Sequence, residues 1–355
     1  MRQTIHKKTI PPRKRNNKSA KRNSSSQVSP VHKSLRMLGI KEGISASKNM
    51  TSAQLSVKDV HAGFTSWYFD TVKSSLPYSE VRQIAEAYRH SFYGKKHDRS
   101  MPMLLPLSRP AAAVVSASDE EDTLGAVLKE LSRLPLQEII VVLNGCSDNS
   151  YTLARAYPLV TIIHEPERIG HDVGRAMGAQ MTTAESILFT DGDIVIKAEQ
   201  LAPFLYAVDQ GVDMALNDLR SFLPSFVSQD GVTRLKSYLN TVMKRPDLGA
   251  SSLISVPHAI SRACIQTIGY PNLITPPLAQ TIALEKGCRV EAVAAVDVIS
   301  KNRRRIGNVG KGNEVERMII GDHLEALTTV LKSSNTVADE LSISRAEVAS
   351  WRNAK

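Results

Sequence analysis

Between residues 111 and 218, short apolar segments alternate regularly with longer segments whose apolar residues recur at helical spacing. The apolar segments are AAAVVS (111–116), EIIVVLN (138–144), VTIIH (160–164), SILFTD (186–191) and VDMALND (212–218). The helical segments are DTLGAVLKELSRL (122–134), SYTLARAY (150–157), DVGRAMGAQMTT (172–183) and KAEQLAPFLYAV (197–208). Strands that alternate with helices of this length predict a mainly parallel sheet covered by helices on both faces. The predicted fold class is therefore α/β.

Each of the first four strands is followed by a cluster of polar residues. The clusters are SASDEED (116–122), NGCSDNS (144–150), EPERIGHDVGRA (165–176) and DGD (191–193). Because ligands bind beyond the carboxyl ends of parallel strands, the four clusters are expected to converge on one site. An alternative explanation is that these polar residues are present only because helix N-cap positions favour them. That alternative explains Asp122 or Ser150, but not a glycine between two acids, nor Gly174 and Gly178 within one helix.

Asp191 and Asp193 stand at the end of the fourth apolar strand. A carboxylate that leaves a buried strand is unfavourable unless it is paired or bound to a metal ion. Hard carboxylate oxygens are the ligands that Mg²⁺ and Mn²⁺ prefer. The two acids are therefore the candidate metal ligands.

These clusters resemble, in order and spacing, the motifs of family 2 glycosyltransferases of the GT-A fold. That family opens with a strand and a polar turn ending in Glu-Glu, and VVSASDEEDTLGAVLKEL (114–131) is similar. Its second and third connections are similar to IIVVLNGCSDNS (139–150) and RIGHDVGRAMGA (168–179), and its DxD motif matches Asp191-Gly192-Asp193. The resemblance covers about residues 111–220. It implies a GT-A-like, Rossmann-like sheet with helical N- and C-terminal appendages.

The resemblance also implies a transferase that uses a nucleotide-sugar donor and a divalent metal ion at the DxD motif. Asp193 would be a direct metal ligand and catalytic residue, with Asp191 nearer the ribose and the waters of the metal. Asp119, Glu120 and the Asn144 turn would line the nucleoside pocket. The donor-binding set comprises Ser116, Ser118, Glu120, Asn144, Gly170, Arg175, Asp191 and Gly192. Arg168 and Arg175 suit phosphate oxygens, since guanidinium groups bind them bidentately. A surface or helix-face charge is an equally weighted alternative for each arginine.

The chain departs from the family pattern at two places. Leu143 stands where an Asp is usual in the second turn. Thr275-Pro276 stands where inverting members carry the Glu-Asp pair that supplies the general base, and no carboxylate occurs from residue 248 to residue 284. His258 is a candidate base or third metal ligand. The alternative for His258 is a packed, hydrogen-bonded ring.

A retaining reaction would not need that base, and further details are similar to the retaining glucosyl-3-phosphoglycerate synthases. Those enzymes pair a Gly-rich phosphate turn with an Arg-bearing helix, as in GHDVGRAMGA (170–179). They also carry a His-x-Asn-Arg segment, to which VDVISKNRRR (296–305) is similar. Asn302 and Arg303 match, whereas Ser300 replaces the metal-binding His. Inversion and retention both stay open.

Residues 1–36 contain eleven Lys or Arg and no acidic residue, and the whole chain has a net charge of +10. The rest of the chain is therefore close to neutral. A polar segment of this kind buries too little apolar surface to fold, so a disordered tail is expected. It either solvates the protein or makes a weak contact with an anionic surface such as nucleic acid or lipid.

The predicted organisation is a disordered basic tail (1–36), a helical extension and linker (37–107), a GT-A-like domain (108–310) and C-terminal helices (311–355). No run of 18 apolar residues occurs, so no membrane span is predicted. Three cysteines without metal-type spacing favour a reducing cytoplasm. Residues 336–352 are too acidic to read DNA, so no sequence-specific nucleic-acid partner is expected.

The leading hypothesis is a cytoplasmic, metal-dependent glycosyltransferase that acts on a nucleotide-sugar and an unidentified acceptor. The alternative, favoured by the missing base motif, is a catalytically silent member that binds a nucleotide-sugar or a partner. A nucleotidyltransferase normally carries a basic, Gly-rich loop after the first strand, and the acidic SASDEED turn disfavours that class.

Overall fold

The structure is a computed structural model that describes residues 30–49, 56–94, 101–300 and 313–333. Predictions for residues 1–29, 302–305 and 336–352 lie outside the described residues. Among the helices of the described ranges, none combines the length and the apolar character needed to cross a bilayer.

A seven-stranded sheet forms the centre of the fold. Its strands are β1 (Ala111–Ala117), β2 (Leu136–Asn144), β3 (Val160–Glu165), β4 (Ser186–Asp191), β5 (Met214–Asn217), β6 (His258–Ser261) and β7 (Val290–Ala294). They lie in the order β3-β2-β1-β4-β6-β5-β7. Of these described strands, only β6 runs antiparallel to its neighbours. The predicted α/β fold with a mainly parallel sheet is confirmed, and β6 and β7 extend it beyond the five predicted strands.

Helices lie before, between and after the strands. They are α1 (Pro30–Asn49), α2 (Val57–Thr71), α3 (Tyr78–Tyr93), α4 (Leu124–Leu131), α5 (Ser150–Arg155), α6 (Val173–Met181), α7 (Ala198–Asp209), α8 (Gly231–Val242), α9 (Arg262–Ile268), α10 (Pro276–Glu285) and α11 (Glu314–Ser333). The four helices predicted between strands correspond to α4, α5, α6 and α7. Helix α11 lies within the predicted C-terminal helical region (311–355), and it packs on α8 and α10.

Two glycines bring α6 very close to the sheet. A Cβ atom at Gly178 would overlap the side chain of Val114 in β1. A Cβ atom at Gly174 would lie 2.9 Å from the hydroxyl oxygen of Ser116. Alanine at residue 178 would therefore force the helix or the strand to shift, whereas alanine at residue 174 would displace the Ser116 hydroxyl and press on Val142. This packing explains the glycine pair and places the first turn of α6 over the carboxyl end of β1.

Within the described residues, three helices precede the sheet, so the predicted helical character of the N-terminal extension is confirmed. An aromatic cluster joins α2 to α3, with ring centroids 5.1 Å apart for Phe64 and Tyr88 and 5.7 Å apart for Trp67 and Tyr88. Helix α1 packs on α3 and begins at Pro30. Residues 30–36 thus belong to a helix, and the prediction that they are part of a disordered tail is wrong. The physical reason is that Leu35 packs against the hydrophobic core.

Candidate functional site

The DGD turn lies at the carboxyl edge of the sheet, beside the end of β1. Ser116 stands opposite Asp191 in the parallel register of β1 and β4. The amide of Gly192 donates a hydrogen bond to the carbonyl oxygen of Ser116 at 2.8 Å. The hydroxyl of Thr123 donates one to the carbonyl oxygen of Gly192, also at 2.8 Å. A Cβ at Gly192 would lie 2.9 Å from the Cβ of Ala117, so the close approach to β1 explains the glycine between the two acids.

Asp191 is a carboxylate held in a crowded, partly enclosed position, with 34% of its side chain exposed. Its pKa is raised to about 6, chiefly by burial. The Arg175 guanidinium, whose Nη2 is 4.0 Å from the carboxylate, opposes this shift. The neighbouring carboxylates of Asp193 and Asp172 add to it. A divalent cation would relieve this crowding, and both DGD acids offer hard oxygen ligands, so Asp191 and Asp193 fit Mg²⁺ or Mn²⁺ by their chemistry.

Arg175 is buried beside the acids rather than exposed on a helix face. Its Nη1 donates a hydrogen bond to the carbonyl oxygen of Leu253 at 2.9 Å, and its Nη2 donates one to that of Ile254 at 3.4 Å. It also forms an ion pair with Asp172 of 3.1 Å. The guanidinium is thus fixed by protein groups and supplies a permanent positive charge next to Asp191.

Lys236 of α8 is a cation at this edge that the sequence patterns did not indicate. Its Nζ donates a hydrogen bond to the hydroxyl of Ser255 at 3.0 Å. Burial lowers the pKa of Lys236 to about 8; the Asp230 carboxylate opposes this shift, and the Arg175 guanidinium adds to it. Arg175 and Lys236 therefore approach the same short segment, residues 253–255, from α6 and α8.

Asp119 connects three of the loops that follow the strands. Its Oδ1 accepts hydrogen bonds from the amide of Ser147 at 2.7 Å and from the Ser147 hydroxyl at 3.2 Å. Its Oδ2 accepts one from Nη2 of Arg168 at 3.0 Å. The Ser147 amide, followed by the Ser147 hydroxyl and Arg168, lowers the pKa of Asp119 against the effect of burial. The side chain of Arg168 lies directly against Gly145, where a Cβ would overlap it.

Asn144 is bound to the loop that follows β3. Its Nδ2 donates a hydrogen bond to the carbonyl oxygen of Gly170 at 2.6 Å, and its Oδ1 accepts one from the amide of Ile169 at 2.9 Å. The side-chain amide of Asn144 therefore holds the backbone of residues 169 and 170 in place. The loop in turn brings Gly170, in the left-handed region at φ +124°, to the same edge as the DGD turn.

Three of the predicted donor-binding residues lie at or just after the end of β1, and they differ in how far they are buried. Ser116 and Ser118 are half-buried at the end of the strand. Glu120 is 2% exposed, and its amide donates a hydrogen bond to the hydroxyl of Ser150 at 3.1 Å. The serines thus lie where a ligand can reach them, whereas Glu120 is enclosed between the first two turns.

His258 lies in β6 opposite Phe189 of β4, within the core. It is 1% exposed, its ring stacks on Phe189 with centroids 5.1 Å apart, and its Nδ1 is 3.3 Å from the carbonyl oxygen of Ser255. Burial, assisted by the positive charge of Arg175, lowers the pKa of His258 to about 3. These surroundings support the packed, neutral ring rather than the base or metal ligand that was the other interpretation.

Helix α10 lies at the Thr275-Pro276 site, where the sequence carries no acidic pair. It begins at Pro276, directly after Thr275. Its buried Gln280 accepts a hydrogen bond from the amide of Leu253 at 3.0 Å and donates one to Oδ1 of Asn240 at 2.8 Å. This helix therefore supports the segment that holds Arg175 and offers an amide, not a carboxylate, in its buried middle turn.

Comparison with known proteins agrees with the resemblance seen in the motifs. A family model described as Glycosyl transferase family 2 matches residues 112–260, the segment from β1 to β6 that contains the four strand-end clusters. This segment is thus similar to that family, as the sequence predicts. No curated protein matches the chain significantly.

Several solved structures are distantly similar. A glucosyl-3-phosphoglycerate synthase from Mycobacterium tuberculosis, in complex with uridine diphosphate, is 20% identical over 62% of this chain and 81% of its own, with a TM-score of 0.46. The same enzyme with Mn²⁺, uridine diphosphate and phosphoglyceric acid is 19% identical over 63% of this chain and 78% of its own, with a TM-score of 0.44. A mycobacterial protein is 18% identical over 63% and 74%, with a TM-score of 0.44. Likeness at this level assigns no function.

Proposed function

We propose that this protein is a glycosyltransferase that moves a sugar from a nucleotide-sugar donor to an acceptor, with Mg²⁺ or Mn²⁺ bound by Asp191 and Asp193. The observation that carries the proposal is the crowded carboxylate pair at the sheet edge, beside the carboxyl ends of β1 and β2. The family match over residues 112–260 supports the same activity.

The metal-binding end of the site is built from Asp193, Asp191 and Arg175. A bound divalent ion would offset the negative charge that grows on the departing nucleoside diphosphate as the sugar–oxygen bond breaks. Asp193 is the proposed direct ligand and catalytic residue, with Asp191 nearer the ribose and the metal's waters. Arg175 is fixed by the carbonyl oxygens of residues 253 and 254, so it holds a positive charge 4.0 Å from the Asp191 carboxylate and favours its charged form.

The nucleoside end of the donor is proposed to bind between the loops that follow β1, β2 and β3. Ser116, Ser118 and the backbone of Gly170 would line it, while Asn144 holds the third loop in place. Arg168 is 71% exposed. An exposed ion pair contributes little, so this guanidinium can exchange Asp119 for a phosphate oxygen with a small change in free energy.

The acceptor is proposed to approach from the side of α8, where Lys236 and Ser255 lie next to the Arg175 segment. Lys236 keeps most of its positive charge near neutral pH, since its pKa is about 8. No general base is assigned, because His258 is enclosed in the core and the buried middle turn of α10 carries Gln280.

The proposed catalytic domain spans residues 108–310, with residues 311–355 as its C-terminal helices. Residues 30–107 form its N-terminal extension, because α1 begins at Pro30, and residues 1–29 are proposed as a basic tail. Cys146, Cys264 and Cys288 are free thiols. Free thiols suit a reducing compartment, and the cytoplasm is the proposed location.

A silent, binding-only protein of the same fold is the second candidate. The enclosed His258 and the carboxylate-free turns of α10 before Glu285 favour it, because both remove a candidate base. Such a protein would bind a nucleotide-sugar without turning it over.

Donor hydrolysis separates the two candidates. The protein is incubated with a panel of nucleotide-sugars and Mn²⁺, and release of the nucleoside diphosphate is measured for the wild type, Asp193→Ala and the control Asp70→Asn. Asp70 is an exposed acid of α2. Metal-dependent hydrolysis that Asp193→Ala abolishes and Asp70→Asn retains supports the transferase. Binding of a nucleotide-sugar without turnover supports the silent candidate, and hydrolysis that survives Asp193→Ala contradicts the proposed role of the DGD turn.

A further inference from the structure

Helix α1 has a fixed orientation on the protein because two glycines form its inner face. A Cβ at Gly43 would overlap the hydroxyl of Ser91 and the carbonyl oxygen of Tyr88, both on α3. A Cβ at Gly39 would lie 3.2 Å from the carbonyl oxygen of Ile84, also on α3. The backbones of α1 and α3 are thus in close contact, and the opposite face of α1 must point outward.

That outward face carries alternating basic and apolar side chains. Positions i, i+4, i+8, i+11 and i+15 share one side of an α-helix. The residues at these positions form the α1 stripe, which comprises Lys33, Met37, Lys41, Ile44 and Lys48, all of them exposed. Met37 is 54% and Ile44 43% exposed. The single acid of α1, Glu42, lies off the stripe near Tyr88.

The sequence before α1 continues the same charge. Residues 1–29 contain nine Lys or Arg and no acidic residue. The α1 stripe therefore presents positive charge, and the sequence before it adds nine basic residues and no acid. Two exposed apolar side chains are set among the lysines of the stripe.

We propose that the α1 stripe is a docking surface for an anionic lipid bilayer, with the helix lying along the membrane surface. Lysines of an interfacial helix attract anionic headgroups, while apolar side chains of the same face enter the boundary of the acyl chains. A single anionic bilayer would therefore bind both the lysines and the apolar side chains of the α1 stripe. The basic segment before α1 adds further attraction to the same headgroups.

Other occupants fit the stripe less well. Nucleic acid would pair with the lysines but leaves Met37 and Ile44 without an apolar partner, because phosphate contacts are made by charged and polar groups. A second copy of this chain would bring the lysines of two stripes together. The mixture of basic and apolar residues therefore favours the bilayer.

Vesicle co-sedimentation of the full-length protein tests this surface. Vesicles of phosphatidylcholine are compared with vesicles that contain one third phosphatidylglycerol, at low and high salt. The variants are Lys33→Gln/Lys41→Gln/Lys48→Gln and Met37→Ser/Ile44→Ser. The matched control is the triple variant at three exposed lysines outside α1, Lys58→Gln/Lys129→Gln/Lys286→Gln.

We expect binding to the anionic vesicles only. The three substitutions on the α1 stripe should weaken it by about ten-fold or more, since each lysine near an anionic surface contributes substantially. The Met37→Ser/Ile44→Ser variant should lose the part of the binding that persists at high salt, where surface charges are screened. The control triple variant should bind like the wild type.

Three results would overturn the proposal. The first is equal binding by the wild type and both stripe variants, with unchanged thermal midpoints. The second is binding to duplex RNA or DNA without binding to anionic vesicles, which would assign the basic residues to nucleic acid. The third comes from a chain lacking residues 1–29: vesicle binding that disappears completely on this deletion would assign the binding to that segment rather than to the α1 stripe.

Discussion

Arg168 and Asp119 form an ion pair across the carboxyl edge of the sheet, with Nη2 of the guanidinium 3.0 Å from Oδ2 of the carboxylate. The pair joins the loop after β3 to the turn after β1. Side-chain exposures of 71% and 34% place it in contact with solvent, where such a pair contributes about 0–1 kcal/mol to stability. Its main effect is therefore expected on ligand binding rather than on folding.

The variant Arg168→Ala tests that expectation. It should weaken Mn²⁺-dependent binding of a nucleoside diphosphate by about ten-fold, because a charge-assisted hydrogen bond to phosphate is lost. The thermal midpoint should fall by less than about 3 °C. Isothermal titration calorimetry and a thermal melt give the two values, with Arg155→Ala on α5 as an exposed control. Unchanged affinity in Arg168→Ala would remove this arginine from the donor site.

The space around two helical glycines predicts opposite effects on stability when each is replaced by alanine. Gly178→Ala should destabilise the protein by about 1–3 kcal/mol, because the new Cβ would overlap Val114. Gly321→Ala on α11 has open space around it and should stabilise by up to about 1 kcal/mol through helix propensity. Urea unfolding measures both. Combining Gly178→Ala with Val114→Ala should recover part of the loss, and a purely additive double variant would argue against the contact.

The sequence predicted the parts of the fold that depend on local pattern. Alternating apolar and amphipathic segments identified β1 to β5 and α4 to α7, and the strand-end clusters identified the edge where Ser116 and Asp191 meet. Strand β6 was not predicted because HAIS is only four residues long and pairs with β4 from 69 positions away or more, which no local pattern shows.

Burial and long-range contacts set the limits of prediction at the site. Glu120 and His258 are polar residues in plausible places, yet neighbouring turns and strands enclose both. Lys236 lies on an ordinary amphipathic helix, and only folding brings it to Ser255. The role of Asn144 in holding the loop at residues 169–170 likewise depends on a contact 25 or 26 residues away.

The burial of His61 predicts how the free energy of unfolding changes with pH. It is 5% exposed, its Nε2 lies 3.1 Å from the carbonyl oxygen of Arg133, and burial lowers its pKa to about 4. In the unfolded chain the pKa of a His is about 6.5, so between pH 6.5 and pH 4 the unfolded state binds more protons. The contribution of His61 to stability is therefore complete above pH 6.5 and is lost as the pH falls to 4, by up to about 3 kcal/mol.

Urea unfolding of the wild type and His61→Gln at pH 7 and pH 4.5 measures this contribution. The wild type should lose more stability on acidification than His61→Gln, because the variant has no imidazole to protonate. The exposed His164→Gln should behave like the wild type. Equal losses in the wild type and His61→Gln would show that other groups control acid unfolding.

The crowding of Asp191 by Asp193 predicts a distinct response of the protein to metal and nucleotide. Mn²⁺ with uridine diphosphate should raise the thermal midpoint, since a ligand at one hundred times its Kd stabilises the folded state by about 2.7 kcal/mol. Either component alone should give a smaller shift if the metal bridges the acids and the diphosphate. Asp193→Asn should abolish the shift while the ligand-free variant stays at least as stable as the wild type, because removing one of two neighbouring negative charges relieves repulsion. A ligand-free variant that is strongly destabilised would identify Asp193 as a structural acid, whereas a normal shift in Asp193→Asn would place the metal elsewhere.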